Sequence, residues 1–218
     1  MLKILLADDH PMFRKAMLFA IRELFPVAAT VEVSNHSTLE AAIDDDDFDL
    51  ALLDLMMPGA HGFSSLVYLR SERPELPVIV VSSNEAPNVS LRAREFGAAA
   101  FVPKSSPIDL VSMAIHRVLE GGTWFPEQHL GRSTKDAALA DKLTSLTPQQ
   151  LRVVIRVADG QLNKQIALDL GLSENTVKMH LSAALKKLGC YTRTQAAVLL
   201  KSLEVESGNA SLGASSKP

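Results

Sequence analysis

The chain has 218 residues, enough for one large domain or two small ones at about 100 to 200 residues per domain. Hydrophobic residues make up 47% and charged residues 22%, so a real core can form, and disorder throughout or a continuous coiled coil is excluded. The net charge of -3 hides an uneven distribution: residues 1–122 carry 10 basic against 17 acidic side chains, whereas residues 144–203 carry 8 against 3.

In chain order, the first half alternates short apolar runs with amphipathic segments, the pattern of a parallel sheet covered by helices. Strands are expected at Leu2–Ala7, Thr30–Val33, Leu50–Asp54, Val78–Ser82 and Ala100–Val102. Helices are expected at Pro11–Phe25, Thr38–Ile43, Phe63–Glu72, Asn88–Phe96 and Pro107–Glu120, placed by apolar residues three and four apart. Runs such as Val78-Ile79-Val80-Val81, apolar without alternation, imply burial on both faces. The expectation is a doubly wound α/β domain of five strands over residues 1–122. Residues 123–143 read as a linker, with room for a short helix. Residues 144–206 read as an all-α module whose helices stop at Gly160, Gly171 and Gly189. The Gly- and Ser-rich tail, 207–218, is expected to be disordered. No apolar run approaches the roughly 20 residues of a membrane span, and Met1–Ala7 leads straight into Asp8-Asp9, unlike a secretory leader. The single Cys190 permits neither an internal disulfide nor a cysteine-based zinc site, which suits a reducing cytoplasm.

In a doubly wound sheet the functional crevice lies beyond the carboxyl ends of the strands. The first strand runs into Asp8-Asp9 and the third ends at Asp54, and strand order 2-1-3-4-5 makes these two neighbours. Like charges this close call for a hard cation, and oxygen ligands with room for water suit Mg²⁺. Ser82 at the end of the fourth strand supplies a hydroxyl, and Lys104 after the fifth supplies an ammonium. Such a set is suited to phosphoryl chemistry. Asp54 is the candidate phosphoacceptor, Asp8 and Asp9 the metal holders, and Lys104 and Ser82 the partners of the attached phosphoryl oxygens. The acidic run Asp44–Asp47 reads as a solvated loop.

Asp8-Asp9-His10-Pro11, Leu53-Asp54-Leu55-Met56-Met57-Pro58-Gly59 with Gly62, Ser82-Ser83, and Gly97-Ala98 through Phe101-Val102-Pro103-Lys104 resemble the receiver domain of bacterial two-component response regulators. The resemblance implies transfer of a phosphoryl group to Asp54 from a sensor histidine kinase, with the backbone carbonyl of Met56 joining the three carboxylates around Mg²⁺. It also implies a switch pair, here Ser82 where threonine is commonest and Phe101 where tyrosine is frequent. Serine keeps the hydroxyl, but Phe101 can make no phenolic hydrogen bond, so its inward position must rest on packing.

In the second module, Thr147 caps a helix that begins at Pro148 and turns Leu151, Val154, Ile155 and Ala158 inward. A short helix over Lys164–Leu170 follows, and after Gly171-Leu172 Ser173 caps a third helix running to Leu188. This is a helix-turn-helix arrangement. The third helix puts Val177, Leu181, Ala184, Leu185 and Leu188 on one face and Asn175, Lys178, Met179, Ser182 and Lys186 on the other, leaving the second face free for DNA. Histidines at no ligand spacing argue against zinc.

Leu146-Thr147-Pro148, Asn163–Ala167, Leu172–His180 and Lys187-Leu188-Gly189 with Arg193–Ala196 resemble the LuxR-type DNA-binding domain. With the receiver, they identify the chain as a member of the NarL/FixJ class of response regulators. The resemblance implies that Lys178 and Met179 reach the major groove of double-stranded promoter DNA, while Asn163, Lys164, Thr176, His180 and Lys187 hold phosphates. It further implies a homodimer when phosphorylated or DNA-bound, for which the final helix, Thr194–Leu203, with Ala197, Val198 and Leu200, is the candidate surface. Gln149-Gln150 replace a frequent Arg-Glu, removing an acid with a structural role, and Ser182 stands where some members place a second basic contact. The expected function is a phosphorylation-switched transcription regulator and not an enzyme: no lid insertion and no general acid beside Asp54 supports a phosphohydrolase. A phosphorylation-dependent module whose basic bundle binds a protein is the alternative.

Overall fold

A computed structural model describes residues 1–126 and 134–205. Five parallel strands, β1 Lys3–Ala7, β2 Ala29–Val33, β3 Leu50–Leu53, β4 Val78–Ser82 and β5 Ala100–Pro103, form one sheet in the order β2-β1-β3-β4-β5. This is the expected strand order. The connecting helices are α1 Pro11–Leu24, α2 His36–Asp45, α3 Ser64–Glu72, α4 Pro87–Glu95 and α5 Ile108–Leu119. α1 and α5 cover one face through Met17, Ile21, Val111 and Ile115, while α2, α3 and α4 cover the other. α2 begins two residues before the expected start, because Asn35 and Thr38 form a reciprocal capping box across its first turn.

Beyond α5 the chain returns to the sheet. Trp124 bridges Ala100, and its carbonyl accepts the Phe101 N–H, closing the open edge of β5. Further on come α6 Thr134–Thr144, α7 Pro148–Ala158, α8 Asn163–Asp169, α9 Glu174–Leu188 and α10 Arg193–Lys201. α6 lies in the stretch read as a linker, and its Ala140 and Leu143 are buried. The tail 207–218, expected to be disordered, lies outside the described residues.

The two halves share a core. The cluster under α2, α3 and α4 continues without interruption through Leu143, Leu151, Val154, Ile155, Leu200 and Leu203, and only Val153, Val157, Ile166, Ala167, Val177 and Leu181 form a separate core for the helical half. α3 explains the continuity: Ser64 through Leu69 are all buried, as in a helix sandwiched between two layers. α7 forms the other wall, with Leu151, Val154, Ile155 and Ala158 inward as expected and Val153 and Val157 buried besides. Gln150 is buried as well and serves the cap: its side-chain oxygen accepts the Thr147 N–H at 3.1 Å, and its own N–H donates to Thr147 Oγ1 at 3.3 Å. The amide thus does the capping work of the glutamate usually found there.

Candidate functional site

Backbone pairing continues past the strand ends and fixes the acids. The Asp8 N–H donates to Val33 O at 3.0 Å and the Asp54 N–H to Ala7 O at 2.8 Å, so the first and third strands deliver their carboxylates side by side. Asp8 and Asp54 are each 1% exposed, and Asp9 stands at the mouth. Each of the two buried acids closes a tight turn, accepting the N–H two residues on: His10 N to Asp8 Oδ1 at 2.7 Å and Met56 N to Asp54 Oδ1 at 3.1 Å. The second turn holds the start of the β3–α3 loop beside the carboxylate.

Lys104 reaches the same point from β5, anchored by its N–H to the Ser82 carbonyl at 2.8 Å. Its Nζ lies 2.7 Å from Asp54 Oδ2 and 2.6 Å from Asp8 Oδ2. Burial pushes the Asp54 carboxyl up, and the Lys104 hydrogen bond and charge oppose that rise. Asp8 Oδ2 and Asp9 Oδ1 are buried without a hydrogen-bond partner, although the Lys104 ammonium lies 2.6 Å from the first and the His10 imidazole 2.7 Å from the second. Two buried carboxylate oxygens left in this condition suit a hard cation.

Three residues that sequence reasoning passed over belong to this site. His10 places Nδ1 2.7 Å from Asp9 Oδ1 and 3.8 Å from Asp54 Oδ2, so its ring joins the acid cluster. Phe13 lies under Lys104, with Nζ 4.8 Å from the ring centroid, and Arg14 Nη1 donates to the Asp8 carbonyl at 2.6 Å. His10 follows the Asp-Asp pair directly, so its signal was present. Phe13 and Arg14 sit one turn into α1 and carried no signal beyond helical periodicity.

Of the two residues expected to form a switch pair, Ser82 is fully buried and its Oγ accepts the Asn84 N–H at 3.1 Å. Phe101 is 1% exposed, held inward by packing alone. Met56 presents its side chain to solvent.

In the helical half, Ser173 caps α9 by accepting the Thr176 N–H, and Gly189, with φ 70°, ends it. Val177, Leu181, Ala184 and Leu188 are buried and Leu185 is half-buried, while Asn175, Lys178, Met179, Ser182 and Lys186 are exposed, so the division of faces is as expected. Met179 is 71% exposed, an unusual position for a large apolar side chain without a partner. Among the described residues Lys164, Lys178 and Lys186 make no ion pair or hydrogen bond. Three other candidates already have partners within the protein. Asn163 Oδ1 accepts Arg193 Nη1 at 2.9 Å, Lys187 Nζ donates to the Ser145 carbonyl at 2.7 Å, and Thr176 Oγ1 shares a 2.8 Å hydrogen bond with Ser173. His180 is half-buried beside this face.

The candidate dimer helix needs one correction. Leu200 is 0% exposed, packed in the shared core, so it offers nothing to a partner; Val198 at 64% and half-buried Ala197 remain, with Tyr191 just before the helix. The sequence showed an apolar surplus on α10 because the covering layer comes from elsewhere in the chain.

Comparison with known proteins agrees with this geometry. Residues 4–116 match the response regulator receiver domain, and residues 144–200 match the bacterial regulatory proteins of the luxR family. The chain is 42% identical over 206 residues to the glycerol metabolism activator of Pseudomonas putida, covering 90% of this chain and 93% of that one. It is 33% identical to a nitrate/nitrite response regulator homolog of Haemophilus influenzae, covering 91% and 95%. Among solved structures, the RcsB response regulator of Salmonella typhimurium shares the fold, with TM-score 0.54, 21% identity and coverage of 92% and 98%. The acid crevice at the sheet's carboxyl edge is the pocket of a receiver, the helix-turn-helix is of the luxR type, and the chain belongs to the two-component response regulators that regulate transcription by binding DNA.

Proposed function

We propose that Asp54 is the phosphoacceptor and that its phosphorylation controls DNA binding through α9. The observation that carries this reading is the Asp54 carboxylate itself: buried, flanked by Asp8 and by His10, and met by Lys104. An Asp54 oxygen attacks the phosphorus of a phosphohistidine on the sensor kinase, the N–P bond breaks, and the imidazole leaves. Asp8, Asp9, Asp54 and the Met56 carbonyl are the residues that would hold Mg²⁺, which supplies positive charge for the transferring oxygens. Lys104 then exchanges its contact with the free carboxylate for one with a phosphoryl oxygen. Ser82 turns its hydroxyl from the Asn84 N–H to another oxygen, which draws the β4–α4 loop inward.

That loop leads into α4, and α4 grips the helical half. Arg92 donates to the Ser202 and Glu204 carbonyls beyond α10, and its Nε pairs with Asp136 of α6 at 3.1 Å. Movement of α4 therefore reaches the seam between the halves, and the inward Phe101 keeps the space behind it filled. On α9, Lys178 and Met179 are the base-reading candidates, with Asn175, Ser182 and Lys186 on the same face. Lys164, Thr176 and His180 are placed for phosphates, as are Asn163 and Lys187 once their internal partners are released. Structures of RcsB dimers on DNA support a dimeric DNA-bound form here, and the exposed Val198 with half-buried Ala197 on α10 is its candidate contact. The name of the Pseudomonas relative supports activation of target genes. We place the protein in the cytoplasm, where promoter DNA is; among the described residues no helix is long and apolar enough to cross a membrane. The phosphoryl group is a signal held on Asp54 and not a substrate turned over.

The test is phosphoryl incorporation from acetyl phosphate with Mg²⁺. Asp54→Ala should remain folded and incorporate none; incorporation at an undiminished rate would remove Asp54 as acceptor.

A further inference from the structure

The seam between the halves contains a cavity of about 140 Å³. Val67 and Phe96 of the receiver face Leu143 and Leu146 of the helical half across it, and Arg70, Ser71 and Thr144 supply its polar atoms. Its volume is close to that of the roughly 150 Å³ engineered cavity that takes up benzene.

Arg70 is what distinguishes this space. The other arginines of the seam each meet a carboxylate: Arg92 meets Asp136, Arg152 meets Asp44 and Glu72, and Arg156 meets Glu40. Among the described residues Arg70 meets none, and its one hydrogen bond is from Nη1 to the Leu76 carbonyl at 3.1 Å. A guanidinium carries five N–H donors in a rigid fork shaped for a carboxylate, so most of this one's donors are uncommitted. Its stem lies in space that Gly97 leaves open. Gly97, in a left-handed turn at φ 89°, leaves no side chain in the way, and a Cβ there would stand 3.2 Å from Arg70 Nε.

We propose that this cavity is a binding site for a small monocarboxylate with an apolar body of about six carbons. The apolar body occupies the space between Val67, Phe96 and Leu143, and the carboxylate is taken by the Arg70 fork, with the Ser71 and Thr144 hydroxyls alongside. Because walls from both halves enclose it, the ligand binds the packed arrangement in preference to any separated one. It therefore holds the halves together by mass action, as an effector whose binding does not require Asp54.

The experiment is calorimetric titration of the full chain with benzoate, isovalerate and butyrate, alongside the neutral benzamide, on wild type, Arg70→Gln and Ala140→Leu. Glutamine keeps a donor for the Leu76 carbonyl, and leucine at 140 fills the cavity from the α6 side. Wild type should bind one equivalent of benzoate, with benzamide and Arg70→Gln each at least about tenfold weaker and Ala140→Leu not binding. Bound benzoate should also reduce the radius of gyration in solution scattering, and Asp54→Ala should bind it as wild type does. Three results would overturn the proposal: no saturable binding of any carboxylate in the series, equal affinity for benzamide, or undiminished affinity in Arg70→Gln. Should Ala140→Leu fail to fold, the Arg70→Gln and benzamide comparisons decide alone.

Discussion

A carboxylate kept charged inside a protein costs stability unless something answers its charge, and Asp54 shows the balance at the scale of one residue. Its carboxyl is pushed up by burial, so its favourable contribution to folding is present in acid, below the ordinary carboxylate range. That contribution is lost as pH rises through the raised folded value. At neutral pH the charged group is thus a burden that Lys104 relieves only in part. Asp54→Asn should therefore raise the melting temperature in chelator, while gaining less than wild type from added Mg²⁺. Equal Mg²⁺ stabilisation of both proteins, read by calorimetry, would place the cation elsewhere. His36 has the opposite sign. Burial lowers its pKa, with Glu40 and Asp159 opposing and Arg156 and His61 assisting, so neutral His36 is the folded form. Its Nδ1 lies 2.9 Å from Ser65 Oγ and its ring meets Tyr68 edge-on. Stability should fall as pH drops through the ordinary histidine range, and His36→Gln should flatten that fall in urea melts across the interval. The acids and Lys104 could be read from strand ends alone, since each follows an apolar run. His36 and Phe13 could not, because their roles depend on groups that only the packed helices bring to them.

Among the elements, α9 is the most legible and α7 the least. α9 presents one polar and one apolar face, and the structure keeps that division, with Lys178 and Met179 exposed. Lys178→Ala should weaken specific DNA binding by about 1–3 kcal/mol if it reads a base, with the salt slope little changed. Lys164→Ala should instead weaken all sequences alike and lower the salt slope by about one. Electrophoretic shifts at several salt concentrations distinguish the two, and unchanged affinity in both variants would move the DNA face off α9. For α7 the sequence shows four inward residues, yet the helix is buried nearly all round. Its Arg152 and Arg156 look like solvent-facing residues on a helical wheel, but they pair with acids more than 70 positions away. Periodicity within one helix carries no record of a second layer packing against its outer face.

Across the whole molecule, the charge asymmetry between the halves finds an internal use. Arg152 Nε meets Glu72 at 2.7 Å, Arg152 Nη2 meets Asp44 at 2.5 Å and Tyr68 Oη at 3.0 Å, and Arg156 Nη2 meets Glu40 at 2.7 Å. Asp44, assigned from sequence to a solvated loop, is therefore part of the clasp between the halves. The β3–α3 loop adds a second hold, since the Phe63 N–H donates to Leu203 O at 3.0 Å and His61 meets both Asp159 and Glu204. Gly62, at φ 54°, permits that approach: a Cβ there would lie 2.7 Å from Val205 N and 2.9 Å from Glu204 Cα. In the sequence Gly62 marked a motif; in the molecule it is where the segment just after α10 docks, in the loop that follows Asp54. Gly62→Ala should force the segment after α10 away without unfolding the receiver, and Arg152→Ala should cost about 1–3 kcal/mol. Both variants should show a larger radius of gyration in solution scattering, and unchanged dimensions would mean that the shared core holds the halves without these contacts.

In the proposed function a phosphoryl group on Asp54 governs DNA binding at α9. The most direct measurement is selection of genomic DNA fragments at fixed salt, with and without acetyl phosphate and Mg²⁺, by wild type and by Asp54→Ala. Wild type with the donor should enrich a set of fragments that is lost both without the donor and in the variant. Equal enrichment by both proteins, with the donor or without it, would contradict it.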